Sequence, residues 1–158
     1  GFSISPEHVN PDARGSVSLR SPDSSVAPKI AFNFFQTDYD IRAMTFGIRL
    51  IRKIAEQPSL QPYIASELQP GRDVQTDVEM LQFIRQKGGS DIHGVGTCRM
   101  GGDAHSVVDP RLRVRGVAGL RVVDASIMPR IVRGNTHAAT VMIAEKASDM
   151  ILQDAGAI

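Results

Sequence analysis

The densest group of reactive side chains runs His93-Gly-Val-Gly-Thr-Cys98-Arg-Met-Gly-Gly-Asp103-Ala-His105. Imidazole, thiolate and carboxylate all serve zinc, so His93, Cys98, Asp103 and His105 are conceivable ligands. Their spacing matches no usual structural zinc pattern, and no second cysteine exists to complete one, so no metal is expected. A nucleophilic arrangement would use Cys98 as the thiolate with His93 or His137 as its base. The plainer reading of a lone cysteine among apolar neighbours is a small buried hydrophobe. Gly94 and Gly96 invite a dinucleotide-binding reading, but Gly-x-Gly-x-x-Gly needs glycine where Arg99 stands, and no Walker-type loop is present. The glycines are expected instead to let the backbone come close to something flat or crowded.

Three further positions carry open alternatives. His137 stands at the mouth of the last long helix, either as a helix-start residue bonded to a neighbouring loop or, with His93, as half of a functional pair. Asp124 follows the apolar run Leu120 to Val123, where it either points a carboxylate at a ligand hydroxyl or caps the next turn through Ser126. Residues 99–133 hold seven Arg against three Asp, a local excess of +4. Alternation of Arg111, Arg113 and Arg115 is expected to present a solvated face, with an acidic partner or a phosphate as the alternative.

The elements that must position these residues are legible as an α+β pattern. A leading segment rich in Pro, Ser and Gly ends at Gly15. Alternation at Val17 and Leu19, a turn-rich stretch from Arg20, and Ile30, Phe32 and Phe34 on one face of 29–35 predict a hairpin-like pair of half-buried strands. Ile41, Met44, Ile48, Ile51 and Ala55 recur at helical spacing and predict a helix from Asp38 to Gln57, stopped by Pro58. Thr76 and Glu79 form a capping-box pattern opening a second helix that ends at Gly88-Gly89, with Val78, Leu81 and Ile84 inward. Residues 58–71 read as loop with at most a short helical turn. A Gly-rich return segment follows, with β-like runs at 112–114 and 120–123, and a terminal helix starts at Asn135 or Thr136 and runs to Asp154. Its first half, Ala138 to Ala144, is apolar on nearly every side and is expected to be buried all round.

Composition bounds the function classes. At 158 residues the chain has the length of one domain able to bury roughly 70% of its unfolded surface. Eighteen Lys plus Arg against seventeen Asp plus Glu leave a net charge of +1, so no overall field holds nucleic acid or an anionic membrane. The single cysteine precludes an internal disulfide. No targeting signal opens the chain, no apolar stretch reaches the roughly 18 residues a bilayer span needs, and a cytoplasmic setting is expected. A start at Gly1 rather than Met is expected of a tag remnant or an excised piece.

Three ordered blocks resemble the carboxy-terminal part of the glucose-methanol-choline (GMC) oxidoreductases, flavoenzymes that oxidise alcohols. They are His93-Gly-Val-Gly-Thr-Cys-Arg-Met-Gly; Val108-Asp-Pro with the segment Val114 to Pro129; and Gly134-Asn-Thr-His-Ala-Ala-Thr-Val-Met-Ile-Ala-Glu-Lys-Ala-Ser-Asp-Met-Ile151. Arg14-Gly-Ser-Val-Ser-Leu-Arg followed by Pro28-Lys-Ile looks like the start of the same module. The resemblance implies that residues 1–158 are one GMC carboxy-terminal domain, with substrate-domain-like strands and helices in 1–88 and a catalytic loop and flavin-facing segment in 89–158. It implies FAD held mostly by an amino-terminal domain of the same polypeptide, and a small alcohol, choline-like or aliphatic or aromatic, as substrate. The family's catalytic histidine falls on His93 and its second active-site residue on His137. Asn is common at that second position among choline- and alcohol-dehydrogenase-like members, so His137 leaves the substrate subclass open. Asp124-Ala125 matches the turn that meets the ribityl and pyrophosphate portion, and the backbone around Ile92, His93, His137 and Ala138 would lie near the isoalloxazine. The competing expectation is that the isolated chain, lacking the flavin-binding part, is an inactive structural or interaction module, prone to self-association through an exposed docking face.

Overall fold

The computed structural model describes residues 1–156, and the chain divides into two compact units, Gly1–Gly89 and Ser90–Ile158. The class is α+β, as expected: the described residues form three α-helices and one small antiparallel sheet.

In the first unit, strands β1 (Ser16–Ser18) and β2 (Lys29–Ala31) pair antiparallel, with Val17 opposite Ile30. The pairing agrees with the sequence, but the burial does not. Val17, Ile30, Phe32 and Phe34 are all exposed, and Phe32 stacks on Phe34 with ring centroids 4.9 Å apart. A two-stranded ribbon has no second layer of its own to cover an apolar face.

Helix α1 (Asp38–Ala55) is capped by Thr37, whose side chain accepts from the Asp40 N–H. Helix α2 (Asp77–Lys87) opens with the complete capping box of Thr76 and Glu79. Ile48, Met80 and Ile84 form the buried cluster between them, flanked by Phe35, Met44, Val74 and Phe83. Val78, expected inward, is exposed, and Met80 takes the buried place. Loop 64–75 is tied to α1 by Arg52, which donates to Glu67, to the Val74 carbonyl (2.8 Å) and to the Gly71 carbonyl (2.9 Å). The short helical turn expected between the helices is a 3-10 turn at Gln61–Tyr63.

One buried carboxylate fastens the leading segment. Asp40 is 1% exposed and accepts from the ring of His8 and from the N–H groups of Asp12 and Ala13, each at 2.8 Å. Burial pushes its carboxyl up, but the bonds from Asp12, Thr37, Ala13 and His8 outweigh this and hold it below the ordinary carboxylate value.

In the second unit, helix α3 (His137–Asp154) packs on a framework of loops. Val108, Leu112, Ile127, Met128, Ile143 and Ala147 form the buried cluster. The expected β-like runs contribute single bridges, Val108 with Val114 and Arg113 with Arg121, because Leu112, Gly116 and Gly119 all take positive φ and interrupt any ladder. The expectation that the first half of α3, Ala138 to Ala144, is buried all round is corrected. Only Ile143 and Ala147 are buried, while Val141 and Met142 are 46% and 58% exposed. Among the described residues no helix is long and apolar enough to cross a membrane.

Along the arginine-rich stretch Arg113 and Arg115 are exposed, as the alternation predicts, while Arg111 is half-buried and all three are held by partners. Arg111 and Arg121 both pair with Asp154 at the end of α3, and Arg111 also donates to the Met150 carbonyl, so cations sit at the negative end of the helix dipole. Arg113 pairs with Asp109, and Arg115 donates to Ser106 Oγ and the Gly101 carbonyl.

Candidate active site

His93 lies in a loop, half-buried, just after a backbone outlier. Ile92 has φ +62° and is 90% exposed, an unusual state for a β-branched residue and one that costs about 1–2 kcal/mol. Ser90 Oγ accepts the Ile92 N–H at 2.9 Å and closes this turn. Beyond it the chain passes Gly94, where an added Cβ would meet no atom within 4 Å, and Gly96, whose φ of +91° favours glycine.

The loop is then laced to the segment around Asp124. The Cys98 N–H donates to the Ser126 carbonyl at 3.0 Å and the Met100 N–H to the Ile127 carbonyl at 2.8 Å. Asp124 accepts the Ser126 N–H at 2.7 Å and caps the 3-10 turn Ala125–Ile127, which is the capping alternative of the two weighed for it. Ile127 is buried in the cluster that α3 completes with Ile143 and Ala147.

The third part of the framework is the start of α3. His137 is its first residue and is exposed, Ala138 is its second, and Thr136 precedes them at the N-cap. Thr136 Oγ1 lies 3.4 Å from His93 Nδ1. The structure therefore joins the loop of Ile92 and His93 to the helix start that carries His137 and Ala138, across 43 residues of sequence. Asp124 and Ala125 belong to the same laced framework. The part of Thr136 was not legible in sequence, where it read only as a helix cap. Nor was the lacing through Ser126 and Ile127, which uses backbone atoms that no residue type announces.

The other reactive residues of the cluster go elsewhere. Arg99 clamps Asp103 through two hydrogen bonds of 2.9 and 2.8 Å, and this guanidinium holds the carboxyl far below its usual range. His105 is exposed, and its N–H also donates to Asp103. Among the described residues no group of three or more His, Cys, Asp or Glu gathers as a metal site. Cys98 is free and half-buried, and the hydrogen bond of His93 goes to Thr136 rather than to the thiol.

Proteins of known structure share this fold. Pyridoxine 4-oxidase from Mesorbium loti matches with a TM-score of 0.85 at 35% identity, over 89% of this chain and 28% of that one. An FAD-dependent oxidoreductase from Chaetomium thermophilum matches with a TM-score of 0.87 at 32% identity, over 93% of this chain and 26% of that one. The class is thus the carboxy-terminal module of a flavoprotein oxidoreductase. A family model described as GMC oxidoreductase matches residues 11–144, and the chain belongs to that family. An oxygen-dependent choline dehydrogenase of Pseudomonas putida (strain KT2440) is 46% identical over 151 residues, 96% of this chain. The chain spans 27% of the length of that relative.

Proposed function

We propose that this chain is the substrate-side part of a flavoenzyme that oxidises a primary alcohol, choline-like or aliphatic or aromatic, with His93 as general base and His137 as its partner. The observation that carries the reading is the contact of His93 Nδ1 with Thr136 Oγ1, because it brings the loop histidine to the residue immediately before His137. An alcohol carbon gives up a hydride readily only when its hydroxyl proton is taken, and a neutral imidazole does this near neutral pH. His93 removes that proton. His137, exposed at the opening of α3, donates to the developing alkoxide and orients it.

The residues fit an FAD. No side chain caps the first turn of α3, so its N–H groups and positive dipole end are free to meet an electron-rich ring edge. The backbone at Gly94 is open enough for a flat ring to approach. FAD, when bound, supplies the hydride acceptor. Ile92, His93, His137 and Ala138 would lie along its ring, and Asp124 and Ala125 along its ribityl-pyrophosphate portion. Most of its binding belongs to an amino-terminal part of the same polypeptide, in the cytoplasm.

In the full-length polypeptide, His93→Ala should slow alcohol-dependent flavin reduction by about 10²–10⁴-fold. A stopped-flow rate equal to wild type defeats the assignment.

A second reading concerns the chain alone. Val141 and Met142 stand exposed on α3, and an apolar face of this kind is what an absent flavin-binding part would cover. The 158-residue chain by itself is then inactive and self-associates. Its purified form should be colourless and take up no flavin, whereas a bound yellow cofactor overturns this reading.

A further inference from the structure

Three threonines precede the three α-helices, and they do not behave alike. Thr37 and Thr76 have extended backbones, with ψ of 148° and 158°, and each accepts a first-turn N–H of its own helix. Thr136 has a helical backbone, with φ −81° and ψ −12°, and its side chain makes no cap bond. Its hydroxyl is turned instead to His93 Nδ1 at 3.4 Å. The residue is held in that pose from behind, since its carbonyl accepts both the Thr140 N–H at 2.9 Å and the Thr140 hydroxyl at 2.8 Å. A helix start thus forgoes its usual cap while the same hydroxyl orders a half-buried loop imidazole.

We propose that Thr136 is the positioning residue of His93: its Oγ1 accepts the Nδ1–H, fixing the tautomer in which Nε2 carries the lone pair. This deepens the proposed function and rests on His93 being the base. The bond persists through the reaction. Nδ1 donates to Thr136 both before and after Nε2 takes the substrate proton, and the contact strengthens when the ring is charged. Removing the hydroxyl therefore frees the ring to rotate and mixes the tautomers. A short polar side chain suffices, so serine should replace threonine and valine should not.

The test uses the full-length flavoprotein with ¹⁵N-labelled histidine, the His93 signals being those lost in His93→Asn. Wild type should show the Nδ1–H, Nε2-lone-pair pattern above the ring's titration, and a ring found as the Nε2–H tautomer overturns the proposal without any variant. Thr136→Val should show both tautomers and a kcat about tenfold lower with KM little changed. Thr136→Ser should restore both. A Thr136→Val protein with the wild-type tautomer, or a Thr136→Ser protein that behaves like Val, overturns the proposal. If His93→Asn keeps the wild-type rate, His93 is not the base, and the tautomer measurement still decides whether Thr136 orders the ring.

Discussion

The two units of this chain are held together by different kinds of interaction. In Gly1–Gly89 the work is done by helices whose caps, periodicity and ends are local: Thr37 and Thr76 cap within four residues, and Ile48, Met80 and Ile84 meet between α1 and α2. Long-range polar devices are added to these: the Asp40 carboxylate joins the leading segment to α1, and Arg52 ties the following loop to it. In Ser90–Ile158 a single helix closes a cluster built mostly from loops, and backbone bonds and arginines across long separations supply the order. The candidate chemistry lies in the second kind of region. A loop can hold a side chain at an angle that no helix or strand would give it, provided a rigid framework stands behind it.

Substitutions that act on one device at a time sharpen this contrast. The largest loss of stability is expected from Ile127→Ala, which empties part of the cluster beneath the laced loop and α3. Hydrogen exchange should show the opening free energy of the α3 amides reduced by about 2–5 kcal/mol. Unchanged protection would mean that this cluster is not what supports the framework.

Next comes Asp40→Ala, which leaves the Asp12 and Ala13 N–H groups without this acceptor. Local stability of the leading segment against α1 should fall by about 1–3 kcal/mol, read as faster exchange and faster proteolysis within residues 1–15. The same residue gives an acid signature. Its folded-state carboxyl lies below the ordinary value of 3.8, so the stability it contributes is complete above about that pH. That stability is lost as pH falls through the depressed folded value. Asp40→Asn should flatten this part of the acid profile, and an identical acid limb in the variant would remove Asp40 from the account.

Thr76→Ala should cost about 0.5–2 kcal/mol at the start of α2, by loss of the bond from the Glu79 N–H to the Thr76 hydroxyl, measured as fraying of its first-turn amides. The smallest effect is expected from Gly47→Ala. An added Cβ would stand 2.5 Å from the Pro6 Cβ, so the helix gains propensity while the leading segment is pushed away. Net stability should change little, yet cleavage within residues 1–12 should increase. Unaltered cleavage would show that Pro6 yields without cost.

Much of the first unit is legible from residue order because its signals are short-range. The Thr76 and Glu79 box, the stop at Pro58 and the spacing of Ile41, Met44 and Ile48 each act within one or two helical turns. Where the reading missed, as with Val78 against Met80 or the exposed Phe32 and Phe34, the deciding fact was which neighbour arrives to cover a face. In the second unit the alternation predicts exposed arginines, and Arg113 and Arg115 are exposed, but the pairing of Arg111 and Arg121 with Asp154 at the end of α3 depends on how the helix packs.

The sequence by itself determined the class of elements, the helix caps of α1 and α2, the block order that marks a GMC carboxy-terminal domain, and the candidacy of His93 and His137. These rest on residue type and near-neighbour spacing, which the one-dimensional order contains in full. Only the tertiary structure decided that the Thr136 hydroxyl meets His93 rather than capping its own helix, that the turn capped by Asp124 is laced to the loop of His93, and that Asp40 fastens the leading segment. Each depends on atoms brought within about 3 Å across tens of residues, and such distances are set by the packing of the whole unit, not by any stretch of the chain.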